Sequence, residues 1–296
     1  MIKEKPEDFI VREIADISTK ESGTFAICKL WKKNYSTIRA LEHIGGKLNK
    51  SIRDFSFGGT KDKKAITEQY ISIKHISRKK IEEIELKDIK LEFIGFRDKA
   101  IFLGELKGNE FEILVKGVQE IKTERKFPNY YGEQRFSKHN VEIGRFLVKK
   151  EYDKALDLIK ETSEYTSLEK IPKRLFQLFV HSFQSYLWNK TLNKYSGKED
   201  IPLIGFGCEL EGDFKGIIEE IMKEEDITCR SFIDKRYPYL SMEGGVRKSY
   251  VEIENLQIQK EGDNIRLKFF LEKGCYATVA IAFLTDSLDS FINNFI

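Results

Sequence analysis

Apolar and polar positions alternate with a period of two near both ends of the chain, whereas helical spacing dominates the middle. Phe9 and Val11 alternate with Ile10 and Arg12, and Thr24 to Trp31 is rich in β-forming residues after Gly23, so both stretches read as strands. Asn34 and Ser36 then offer helix caps. Ile38, Leu41 and Ile44 follow at helical spacing, which predicts a helix ended by Gly45-Gly46. Phe55 to Phe57 predicts a short strand, and Tyr70, Ile71 and Ile73 another. A lysine-rich helical segment near Ser77 to Ile84 precedes an extended stretch containing Leu91, Phe93 and Phe96. Ile101 to Leu106 and Phe111 to Val115 flank Gly108-Asn109, which reads as a hairpin turn.

From Ser137 to about Glu161 the pattern is helical, and Pro172 opens a longer helix, Lys173 to about Tyr195. Leu175, Phe179, Phe183 and Tyr186 recur along it at helical spacing and read as core. Phe214 to Lys223 is a further helix. Glu243-Gly-Gly-Val-Arg-Lys248 leads into alternating runs from Tyr250 and from Ile265, and Lys273 to Thr278 opens a closing helix through Leu284. Strand-rich ends around a helix-rich middle imply an α+β fold with an insertion: residues 1–152 and 246–296 as one domain, 153–245 as the inserted one.

At 296 residues, 41% hydrophobic and 33% charged, the chain is long enough for two domains with a substantial core. It has no apolar run of about 18 residues and no signal-like N-terminal segment, so a cytoplasmic protein is expected. Cys28, Cys208, Cys229 and Cys275 form no C-x-x-C pair, which argues against a zinc site or a disulfide framework. A net charge of +3 says little about partners. The distribution says more: Lys61 with Lys63 and Lys64, Arg125-Lys126, Arg135 with Lys138, and Arg247-Lys248 sit beside glycine or aromatic residues. Cations with aromatic platforms suit RNA, although solvated surface accounts for the same pattern.

Phe57 to Gln69 is the stretch with most chemical content. Gly58 and Gly59 give the backbone freedom, and Asp62 stands among Lys61, Lys63 and Lys64, which favour the ionised carboxylate and offer contacts to phosphate. On local sequence alone, a Gly-Gly turn with solvated charges is the commoner reading. The spacing of a nucleotide-binding P-loop is absent, as are the G-x-S-x-G, H-E-x-x-H and G-x-G-x-x-G patterns, so triphosphatase, serine or zinc hydrolase and dinucleotide-dependent readings lack support. Pro128 to Phe136 brings adjacent aromatics, amides and an arginine around one glycine, and reads as a second functional loop.

Five segments taken together carry a resemblance. Pro6 to Glu13, Gly59-Thr-Lys-Asp62 with Ala65, Thr67 and Gln69, Asn129-Tyr-Tyr-Gly-Glu-Gln-Arg-Phe136, Gln184-Ser-Tyr-Leu-Trp-Asn189, and Gly274-Cys-Tyr-Ala-Thr278 resemble, in order, the motifs of the TruD family of tRNA pseudouridine synthases. The resemblance implies a pseudouridine synthase catalytic domain with a mixed, largely antiparallel sheet and a helix-rich TRUD insertion. It implies cofactor-free and metal-free isomerisation of uridine to pseudouridine, typically at position 13 of tRNA. It makes Asp62 the catalytic residue, either bonding to the sugar or supporting a glycal route. It also makes Asn129, Tyr131 and Tyr276 uridine-pocket residues, and Lys61 a support for the Asp62 carboxylate or for a phosphate. Tyr131 stands where the family usually has phenylalanine, and the insertion is short for the family. A monomer with tRNA as partner is expected. The rival from another class is a non-catalytic tRNA-binding or RNA-folding protein, although binding an anionic backbone gains nothing from a central carboxylate.

Overall fold

The structure, a computed structural model, describes residues 2–102, 104–137 and 139–295. Lys138, among the cations singled out above, lies outside them. The chain forms two compact units, Met1–Ile121 with Ile253–Gly274, and Lys122–Glu252 with Cys275–Ile296.

In chain order the elements begin with β1 (Phe9–Ile14), β2 (Phe25–Lys33), α1 (Thr37–Leu48), β3 (Phe55–Phe57), β4 (Ile66–Lys74), α2 (Arg78–Glu82), β5 (Ile89–Arg97) and β6 (Gly108–Lys116). There follow β7 (Lys126–Pro128), α3 (Asn140–Val148), α4 (Tyr152–Thr162), α5 (Lys173–Lys194), β8 (Ile201–Leu203), α6 (Lys215–Glu224) and β9 (Gly245–Arg247). The last are β10 (Tyr250–Glu252), β11 (Glu254–Glu261), β12 (Asn264–Glu272), α7 (Ala277–Leu284) and α8 (Leu288–Ile292).

The first unit is built on an eight-stranded sheet in the order β11-β12-β6-β1-β4-β2-β5, with β3 also paired to β4. Its ladders are antiparallel except β1 with β4, which run parallel with Ile10 opposite Ile66. The mixed, largely antiparallel sheet of an α+β fold is therefore present. Alternation along β2 and β4 turns Ala26, Cys28, Leu30, Ile71 and Ile73 onto one face, where Ala40, Leu41 and Ile44 of α1 cover them. Ser36 caps α1 by accepting from the Arg39 N–H at 3.3 Å. The helix does not stop at Gly45-Gly46. It runs to Leu48 and ends on Asn49 in the left-handed region (φ 53°), whose N–H donates to the Gly45 carbonyl. Gly45 answers a packing need instead, because a Cβ there would lie 2.6 Å from the Lys50 carbonyl oxygen.

Gly108-Asn109 does not form the expected hairpin turn either. Gly108 opens β6, opposite Ile14 on one side and Glu272 on the other. A Cβ at this position would lie 2.2 Å from the Leu271 carbonyl oxygen, so the glycine serves close strand approach.

In the second unit, the single helical stretch expected from Ser137 to Glu161 is two helices, α3 and α4, separated where Lys150 takes a left-handed φ of 65°. Phe176, Phe179, Val180, Phe183 and Leu187 of α5 form the core with Ile143 and Leu147 of α3, Ala155 and Ile159 of α4, and Ile218 and Ile221 of α6. Leu175 and Tyr186, expected as core, are only partly buried at its edge. Two short ladders, β7 with β10 and β8 with β9, complete the unit.

Candidate active site

The Asp62 loop joins β3 to β4 and is fixed by buried polar groups rather than by regular structure. Gln69 on β4 donates from Nε2 to the Gly59 carbonyl at 3.0 Å, and its Oε1 accepts from the Thr37 hydroxyl at 2.8 Å. The Thr37 oxygen in turn accepts from the Lys61 backbone N–H at 2.9 Å. Thr37 and Gln69 are both buried, so this relay satisfies the loop's backbone where water cannot reach. Lys61 directs its ammonium to Glu13 on β1, 2.6 Å away, and both side chains are almost wholly buried. Two further lysines address Asp62 itself. Lys3 forms an ion pair with its carboxylate at 2.8 Å, and Lys32 donates to its backbone carbonyl at 2.8 Å and to the Tyr35 carbonyl at 2.6 Å. Lys32 is fully buried, and burial pushes its ammonium down to about 8, against the attraction of the Asp62 charge and with the repulsion of Lys61. Neither Gly58 nor Gly59 uses a positive φ, so the loop's shape comes from the relay and not from glycine freedom.

The second unit gathers Asn129, Tyr131 and Tyr276. The buried Asn189 of α5 grips the Tyr131 backbone from both sides: its Oδ1 accepts from the Tyr131 N–H at 2.9 Å and its Nδ2 donates to the Tyr131 carbonyl at 3.0 Å. The Tyr131 ring meets Trp188 edge-on at 5.7 Å and Tyr276 at 6.1 Å. Arg247 lies over the same ring, 4.0 Å from its centroid, while its Nη2 donates to the Asn129 carbonyl at 2.9 Å and to Asn129 Oδ1 at 2.8 Å. Asn129 Nδ2 donates to the Lys248 carbonyl at 3.1 Å. Gly132 leaves room for Tyr276, since a Cβ there would lie 2.9 Å from Tyr276 Cδ1 and 3.1 Å from Thr278 Oγ1.

Two of the sequence-derived residues, Lys61 and Asp62, thus lie in the first unit, and the other three come together in the second. Lys61 sits beside Glu13 rather than against the Asp62 carboxylate, which Lys3 holds. Sequence reasoning passed over Lys3, Lys32 and Thr37, quoted Asn189 within a motif without giving it a role, and left Arg247 as a phosphate contact or a solvated cation. Lys32 had a signal, because it continues the buried face of β2 set by Ala26, Cys28 and Leu30. Among the described residues no group of His, Cys, Asp and Glu could hold a metal ion, and no helix is long and apolar enough to cross a membrane.

The family model for tRNA pseudouridine synthase D (TruD) matches residues 1–165 and 199–282. The chain belongs to the TruD family. Both loops described above fall within the matched residues. Among TruD relatives, tRNA pseudouridine synthase D of Aquifex aeolicus is 29% identical, covering 95% of this chain and 96% of its own. That alignment extends over 372 residues, more than this chain has, so the relative carries residues that are lacking here. The probable tRNA pseudouridine synthase D of Nanoarchaeum equitans is 32% identical, with 95% and 97% covered. A crystal structure of the putative TruD of Methanosarcina mazei shares the fold, with a TM-score of 0.70 at 23% identity over 96% of this chain and 93% of that one. TruD enzymes are isomerases that convert uridine to pseudouridine.

Proposed function

We propose that this chain is a tRNA pseudouridine synthase that isomerises uridine at position 13 of tRNA without a cofactor, with Asp62 as the catalytic residue. The observation that carries this reading is the TruD match running unbroken through residues 1–165, which include both the Asp62 loop and the Asn129–Tyr131 segment. The surroundings of Asp62 support it. Lys3 pairs with its carboxylate at 2.8 Å, and the buried relay through Thr37 and Gln69 holds the loop in one geometry, as a group acting at a single carbon requires.

In the proposed reaction Asp62 assists rupture of the N1–C1′ bond, whose electron pair leaves with the uracil. The base turns, C5 bonds to C1′, the C5 proton passes to solvent and N1 takes one up, so the change is a net isomerisation. The uridine must leave its stack to react, and extruded bases are held by aromatic faces and edge hydrogen bonds. Tyr131, Tyr276 and Asn129 are the proposed holders, and Lys61 the residue that ties the catalytic loop to Glu13. The protein is proposed to act as a cytoplasmic monomer on tRNA.

Incubation with tRNA carrying C5-tritiated uridine tests the assignment. Wild type should release tritium and Asp62→Asn should release less than about one thousandth as much, the scale expected when a group acting in the transition state is lost. Equal release by the variant would remove Asp62 from the chemistry. Tight tRNA binding by wild type with no pseudouridine formed would favour the non-catalytic binder.

A further inference from the structure

The second unit has an open depression of about 730 Å³ lined by Lys150, Tyr152, Arg230, Ile233, Lys235 and Arg236. Four of its six lining residues are cationic. Arg230 and Lys235 are exposed and engage no carboxylate among the described residues. Arg236 lies 5.0 Å from the Tyr152 ring centroid and 5.2 Å from that of Tyr237, and its ion pair with Glu169 is loose, at 4.0 Å. At that distance Glu169 accepts no hydrogen bond from it, which leaves guanidinium N–H groups for another acceptor.

Of the two carboxylates that pair with these cations, Glu169 is exposed and Asp234 is buried. The latter accepts from the Tyr152 hydroxyl at 3.0 Å and from the Tyr237 N–H at 2.8 Å, and Lys150 stands 3.6 Å away while donating to the Ser231 carbonyl at 2.9 Å. Asp234 therefore anchors the framework from within, while the outward charge is positive. Ile233, 43% exposed, and the Tyr152 ring add apolar surface to the cationic lining.

We propose that this depression seats the sugar-phosphate backbone of the RNA substrate, with Arg230, Lys235 and Arg236 on phosphates and Tyr152 with Ile233 against ribose. The inference rests on the reading of the chain as a tRNA-binding enzyme, and it assigns the site to grip rather than to chemistry. Phosphate contacts release counterions, so each one lost weakens binding and flattens its salt dependence.

The test is filter binding of an unmodified tRNA transcript across a potassium chloride series, comparing wild type with the double variant Arg230→Gln/Lys235→Gln. At about 0.15 M salt the double variant should bind roughly tenfold more weakly, and its slope of log affinity against log salt should be shallower by about one to two. The control is Lys79→Gln/Lys80→Gln on α2 of the first unit, which removes the same charge and should change affinity less than about twofold if the contact is local. Equal effects of the two double variants would overturn the proposal, as would polyglutamate displacing tRNA as well as unlabelled tRNA does. Binding is read without turnover, so wild type that binds but forms no pseudouridine refutes the catalytic reading and leaves this comparison standing.

Discussion

Lys32 and Asp62 meet through the backbone: the buried ammonium donates to the Asp62 carbonyl oxygen at 2.8 Å, while Lys3 takes the Asp62 carboxylate. One lysine thus fixes where the loop lies and another pairs with the side chain it carries. The buried lysine loses protons more readily than its ordinary 10.5 allows, releasing them at about 8.

That displacement sets a pH dependence of stability. Between about 8 and 10.5 the unfolded chain still holds a proton on Lys32 that the folded chain has released, so stability rises as pH climbs through that window. Below 8 the full penalty of the buried charge applies. In urea unfolding, the advantage of wild type over Lys32→Met should grow by roughly 3 kcal/mol from pH 7 to pH 10.5, with titrations elsewhere cancelling in the difference. A difference that stays flat across this range would show that Lys32 is not buried as described.

The Lys61–Glu13 pair offers a second measurement. Removing one member leaves the other charge buried and unpaired, so Lys61→Met should cost about 3 to 5 kcal/mol of unfolding free energy. Glu13→Gln combined with Lys61→Met should recover at least half of that loss. Additive costs in the double variant would mean that the two side chains do not depend on each other.

Gly132 and Tyr276 should be coupled through space. Gly132→Ala puts a Cβ against the Tyr276 ring and should destabilise the protein by about 2 kcal/mol. In a Tyr276→Ala background the same change should cost less than about 1 kcal/mol, and thermal unfolding of the four proteins measures the coupling. An unchanged cost would show that Tyr276 does not crowd Gly132.

Much of the fold was legible because its sheet obeys a period of two: β1, β2, β4 and β12 fall where alternation places them, and Ser36 caps α1 as its chemistry suggests. Gly45 and Gly108 were misread for one reason. Each serves a contact with backbone outside its own element, and local sequence cannot distinguish a glycine needed for proximity from one that ends an element. The Asp62 loop was legible only in company with the other motifs, since a carboxylate among lysines describes many surface turns. Of its supports, Gln69 stood within the motif itself, whereas Thr37 and Lys32 were hidden because they reach the loop from α1 and β2, and only the burial period along β2 marked Lys32 in advance. Arg247 was seen as a cation, but its place over the Tyr131 ring depends on β9 and the chain before α3 coming together.

The order of strands in the sheet also constrains biosynthesis. β6 lies between β1 and β12, and the Gly117 N–H meets Asn264 Oδ1 across 147 residues of chain. On the ribosome, β6 therefore emerges long before its second neighbour exists, with one row of N–H and C=O groups unsatisfied. Such an edge is a template for pairing with other chains until β12 arrives, and contacts this distant in sequence close slowly. A nascent chain stopped within the second unit should be prone to aggregation, and emergence of β11 and β12 becomes the step that completes the sheet.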